Sequence, residues 1–178
     1  GGAEDGFGVA AFASHPHITH RSGPTIGHFI FAQQVEAHRR HAVHAVVTAS
    51  CDRSLRDKVN TFNMITPDGQ PVRWALNLLH RARLTDRVYG PDLTLSLCEK
   101  AAAEGVPVYL YGGSPEVVNK MRKNLLKRYP ELNIAGYESP PFRPLTPEED
   151  DQMVQRLNAS GAGIVFIGLG CPKQDLFA

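Results

Sequence analysis

No apolar run in this sequence approaches the roughly 18 residues that a membrane-spanning helix needs, so any membrane contact is expected to be peripheral. Neither sign of charge is in excess: 19 Lys and Arg stand against 18 Asp and Glu, for a formal net charge of +1. A nucleic-acid binder usually carries a basic stripe and a clear positive surplus, so no nucleic-acid partner is expected. Cysteine is scarce. Cys51, Cys98 and Cys171 are odd in number and lack CxxC spacing, which argues against a disulfide framework or a structural zinc site and suits a reducing cytosol. The start, Gly1 to Gly6, has neither a basic n-region nor an apolar core and does not read as a signal peptide.

What is present is enough for one α/β domain. A chain of 178 residues buries roughly 70% of the surface that its unfolded form exposes. Residues 1–42 show no sustained period, are rich in Gly, His and Ser, and are expected to form a poorly ordered arm. His15, His17 and His20 could converge on a soft metal, but no carboxylate or thiolate accompanies them, and a polar arm is the simpler reading. His38, His41 and His44 read as surface or packing residues.

From residue 43 to 178 the pattern is that of a folded domain. Ala42–Thr48 and Met64–Thr66 suggest short strands. Pro71 suits a first helical turn, with Val72, Ala75, Leu76 and Leu79 following at helical spacing through His80. A second helix is expected from Gly90 to about Gly105, and a buried strand over Val106–Tyr111. A helix should then run from Pro115 to about Arg128, followed by a strand over Leu132–Ala135. Thr146-Pro147-Glu148-Glu149 is a capping-box helix start, and Ile164–Gly168 a last buried strand. Continuous apolar strands alternating with helices predict a Rossmann-like α/β fold: a parallel sheet with helices on both faces.

In such sheets ligands bind beyond the carboxyl ends of the strands, and the unusual residues sit in three loops expected there: Pro67–Gly69, Gly112–Pro115 and Leu169–Asp175. Asp68 could deprotonate a sugar hydroxyl, or could simply bond its own backbone in a Pro-Asp-Gly turn. Gly112-Gly113-Ser114 could let a helix N-terminus approach a phosphate, or could be a plain strand-to-helix turn. Gly168 and Gly170 allow close backbone approach, and Lys173 and Gln174 add a cation and an amide that suit a diphosphate and a sugar hydroxyl. Cys171 lacks a partner base and reads as a small packed residue. Arg87, just before a helix start, could pair with a phosphate or lie solvated.

Taken together, these segments resemble the WecG/TagA/CpsF glycosyltransferase family. The matching pieces are Thr66-Pro67-Asp68-Gly69 with the Val72-x-Trp74-Ala75 helix, Arg87-Val88-Tyr89-Gly90-Pro91-Asp92-Leu93 and Tyr109–Gly113. Asn158–Ala162 and Gly168–Asp175 complete the set, in family order. The resemblance implies an inverting enzyme, needing no cofactor and no metal. It would move a sugar from a UDP-sugar to a polyprenyl-diphosphate-linked saccharide, for teichoic acids, enterobacterial common antigen or exopolysaccharide. It further implies Asp68 as general base, Gln174 and Arg87 as pocket residues, and Thr48 as a residue near the donor. Ser50 stands where the family usually has asparagine, and Thr48 and Asp68 are closer in sequence than the family spacing. Family members also continue past this sequence into another strand and a basic appendage that contacts the membrane. A cytoplasmic enzyme, peripheral at the inner membrane face and in some members oligomeric, is what the resemblance leads one to expect.

Two other classes compete. One is a non-catalytic nucleotide-binding Rossmann-like module that keeps the pocket. The other is a Rossmann-type oxidoreductase, disfavoured because no GxGxxG follows the first strand.

Overall fold

A computed structural model describes residues 7–14, 29–35, 41–62, 65–170 and 173–177. Along the chain it runs β1 (Phe7–Ser14), β2 (Phe29–Val35), α1 (His41–Cys51), α2 (Arg53–Val59), α3 (Gln70–His80) and α4 (Gly90–Glu104). Then follow β3 (Val108–Gly112), α5 (Pro115–Arg128), β4 (Ile134–Glu138), α6 (Pro147–Ala159), β5 (Ile164–Gly168) and α7 (Lys173–Phe177). The strands form one sheet in the order β1-β2-β5-β3-β4. Strands β2, β5, β3 and β4 are parallel to their neighbours, and β1 adds an antiparallel edge.

The expected layering is present, and the reason lies in β3 and β5. Their side chains alternate across the sheet, and both sets are apolar. Val108, Leu110, Ile164 and Phe166 point to one face, where Cys98 and Ala101 of α4 and Val118 and Leu125 of α5 cover them. Tyr109, Tyr111, Val165 and Ile167 point to the other, against Met153 of α6, Phe62 after α2 and Phe177 of α7. A strand buried on both faces has to be apolar at every position, which is why these runs do not alternate.

Helix boundaries follow local chemistry. Ser114 and Thr146 cap α5 and α6 through their side chains, and Thr146 with Glu149 forms the reciprocal capping box. Arg143 clasps Glu149 through two hydrogen bonds of 2.6 Å, holding the preceding loop to that cap. Arg156 of α6 binds Glu138 at the end of β4, fastening helix to strand.

Several expectations are corrected. Residues 42–48 are not a strand but the middle of α1. An apolar stretch this short has no period that separates strand from helix, and Ala42, Ala45 and Ala49 favour the helix. Ile65–Asp68 lies outside regular structure, so Asp68 does not follow a strand among the described residues. The end of the expected loop Leu169–Asp175 is helical, since the short helix α7 begins at Lys173. β1 and β2 fall within residues 1–42, the stretch expected as a poorly ordered arm. β2 pairs with β1 on one side and with the distant β5 on the other, and the second contact is non-local, which composition does not register. His15, His17, His20, His38 and Cys171 lie outside the described residues, as does Met64.

Candidate active site

The two halves of the sheet diverge between β3 and β5. These strands are parallel neighbours, yet α5 after β3 packs on one face while α7 after β5 packs on the other. The carboxyl edge at such a change of side is where open α/β sheets generally bind ligands. Gly112 and Gly113 end one strand and Gly168 and Gly170 follow the other, so four of the expected residues line a single junction. Gly113 N–H donates to the Gly168 carbonyl at 2.9 Å. Gly112 has φ +124°, and a Cβ there would run into the Gly168 backbone, so only glycine lets the two chains approach.

The loop after β4 reaches both sides of this junction. Ser139 Oγ donates to the Gly113 carbonyl at 2.6 Å, and Lys173 Nζ donates to the Phe142 carbonyl at 3.3 Å. Gln174 follows on α7 and is completely buried, with neither Oε1 nor Nε2 hydrogen-bonded. An amide without partners costs about 1–3 kcal/mol, so a residue kept in this state calls for a polar partner. Phe177 stacks on Tyr111 at 5.1 Å, fixing α7 over β3.

Asp68 and Arg87 form a second group. The turn at Gly105–Pro107 is short, so α4 runs antiparallel to β3 and its first turn lies towards the carboxyl edge. Arg87 sits just ahead of that turn, its guanidinium 4.5 Å from the centroid of the Tyr89 ring. The Val88 amide donates to the Pro67 carbonyl at 3.1 Å, which draws Asp68 alongside. Burial raises the Asp68 carboxyl above its ordinary pKa, while the Arg87 charge and the Gly69 amide lower it. A desolvated carboxylate beside a cation suits general-base work.

Helix α3 fastens this arrangement. Asn77 grips Leu84 at two points: its Nδ2 donates to the Leu84 carbonyl at 2.9 Å and its Oδ1 accepts from the Leu84 amide at 2.7 Å. Arg73 Nε adds a bond to the same carbonyl, and Gln70 Nε2 reaches Asp86. Asn77→Ala should therefore cost about 1–2 kcal/mol in denaturant unfolding and speed hydrogen exchange at the Leu84 amide. Unchanged exchange there would show that the clasp does not hold the loop.

Thr48 lies in α1, a helix that contacts α2 and α3. Ser50 is on the same helix, its Oγ donating to the Val47 carbonyl. Among the described residues no group of three or more His, Cys, Asp or Glu side chains gathers as a metal site. Burial pushes the Cys98 thiol up to about 12, so it is a packed residue rather than a nucleophile.

The glycosyl transferase WecG/TagA/CpsF family model matches residues 25–178, from the segment that holds β2 through α7. The chain belongs to that family. It is accordingly a glycosyltransferase, with a sugar donor and an acceptor as its partners. The match also begins inside the stretch expected as an arm, in keeping with the place of β2 in the sheet.

Sequence reasoning missed three residues near these groups. Thr66 Oγ1 and Thr94 Oγ1 are buried without partners, and Asn77 holds the loop that carries Arg87. Asn77 had one weak signal, a poor helix former in the middle of a helix. Thr66 stands in a matching family segment, but the burial of both hydroxyls is a property of the fold.

Proposed function

We propose that this glycosyltransferase moves a hexosyl or N-acetylhexosaminyl group from a UDP-sugar to a polyprenyl-diphosphate-linked saccharide, with inversion, in cell-surface polysaccharide synthesis. The observation that carries the reading is the half-buried Asp68 carboxyl held beside the Arg87 guanidinium.

Asp68 takes the proton from the acceptor hydroxyl as its oxygen attacks the anomeric carbon. The bond from that carbon to the β-phosphate oxygen breaks, and UDP leaves with the electron pair. Arg87 and Lys173 are the cations that offset the charge gathering on the diphosphate, and glycine backbone at the β3–β5 junction lets it approach. The unpartnered Gln174 amide supports a role in holding the sugar. No helix among the described residues is long and apolar enough to cross a membrane. In this reading the acceptor's lipid is met at the cytoplasmic face by a surface contact. Side-chain cations take the part that a metal plays in other transferases.

UDP release from a panel of UDP-sugars, dependent on an added polyprenyl-diphosphate saccharide and unaffected by EDTA, is the expected result. UDP protection in a thermal-shift assay without turnover on any donor would point instead to a non-catalytic nucleotide-binding module. Loss of activity in EDTA, restored by a divalent ion, would overturn the metal-free part.

A further inference from the structure

Helix α3 turns a large part of its apolar surface outward. None of its residues is buried. Its polar residues Gln70, Arg73 and Asn77 face inward and hold the loop at Leu84 and Asp86. Five of its apolar residues, Pro71, Trp74, Ala75, Leu78 and Leu79, are exposed and fall on one arc of the helical wheel, while Val72 and Leu76 are half-buried on the inner side. Trp74 is 61% exposed, Leu78 81% and Leu79 72%. A patch of this kind marks an interaction surface.

The charge beside the stripe points to the partner. Residues 70–85 contain no Asp or Glu, and the exposed Arg81 and Arg83 follow directly on Leu78 and Leu79. Both arginines adopt left-handed backbone, with φ 51° and 55°, so the chain turns sharply where the apolar face ends. A second copy meeting this surface would bring the same arginines, and the exposed carboxylate beside them, Asp86, already accepts from Gln70 Nε2 and the Arg87 amide. An anionic lipid surface supplies both an apolar layer for Trp and Leu and a negative one for Arg.

We infer that α3 is a lipid-docking helix: Trp74, Leu78 and Leu79 enter the headgroup boundary of an anionic bilayer, with Arg81 and Arg83 on its phosphates. This deepens the proposed function and rests on its lipid-linked acceptor for biological meaning. Asp68 is separated from α3 only by Gly69, so docking of the helix brings the base to the membrane surface.

Trp74 is the only tryptophan of the chain, so its emission reports this helix alone. The test uses the full chain and plain vesicles without substrate, which keeps it separate from the transferase reading. Adding phosphatidylglycerol-containing vesicles should shift the emission to the blue and let brominated acyl chains quench it, with little effect from pure phosphatidylcholine vesicles. Arg81→Gln with Arg83→Gln should weaken vesicle binding by roughly thirtyfold. Leu78→Glu with Leu79→Glu should abolish it while leaving the circular dichroism unchanged. No emission shift with anionic vesicles would overturn the inference. So would undiminished binding by the Leu78→Glu, Leu79→Glu variant. A shift without vesicles that follows protein concentration, matched by dimers in ultracentrifugation, would assign the face to a second copy instead.

Discussion

Asp68→Asn is expected to lower kcat by about two to four orders of magnitude, with the donor KM little changed. Asparagine keeps the shape of the side chain and cannot take a proton, so only the transfer step should suffer. The base works as its carboxylate. Because burial raises the Asp68 pKa, the acidic limb of kcat/KM should lie above the ordinary carboxylate range. Arg87 opposes that rise, so Arg87→Gln should move the limb further to the alkaline side. The same shift has a consequence for stability. A carboxyl whose folded pKa exceeds its unfolded value binds more protons when folded. Its contribution to stability is therefore highest below the ordinary aspartate range and falls as pH rises through the folded pKa. Asp68→Asn should flatten that fall and should not destabilise the protein at neutral pH. An active Asp68→Asn enzyme would remove the general-base role; an acidic limb at the ordinary aspartate position would remove the argument from burial.

The second large effect is structural. Gly112→Ala should destabilise the protein by on the order of 3 kcal/mol, well beyond the usual cost of an added methyl group. Two causes combine. The residue sits at φ +124°, which side chains rarely adopt, and its Cβ would overlap the Gly168 carbonyl, a backbone group that cannot swing aside. Gly170 has φ +76° but open space around the same position, so Gly170→Ala meets strain without a clash and should cost less. Chemical unfolding of the two variants gives the comparison. Equal losses would mean that strain alone matters and that the β3–β5 approach is not tight.

Thermal scans should also show Gly112→Ala losing protection by UDP. The alanine would spread the junction at which the diphosphate is proposed to rest. Retained protection would place the nucleotide elsewhere.

Much of the domain was legible because its signals are local. Pro115 with Ser114, Thr146 with Glu149, and the continuous runs over 108–112 and 164–168 each carry their own instruction within a few residues. The five family segments were legible for another reason: they recur in a fixed order, and the family match over residues 25–178 bears that out. Where the reading failed, the deciding contact was distant. Residues 42–48 are β-branched enough to suggest a strand, but β2 already occupies the place beside β5, and the segment is helical. Residues 29–35 were read with the poorly ordered arm because one of their two partners, β5, lies far along the chain.

For the site, the sequence by itself determined which residue types stand available: a carboxylate at 68, an arginine at 87, glycines at 112, 113, 168 and 170, and an amide at 174. It also determined the family, since ordered motifs need no coordinates. Only the tertiary structure decided which of them meet. The glycines come together because β3 and β5 are neighbours despite β4 and α6 between them in sequence. Asp68 finds Arg87 through a backbone bond from Val88 and a clasp from Asn77, while Thr48 remains on α1. The outward turn of α3 belongs to the same class. Its pattern shows an apolar stripe, but which way a stripe faces depends on what the opposite side holds, and here three polar side chains hold a loop.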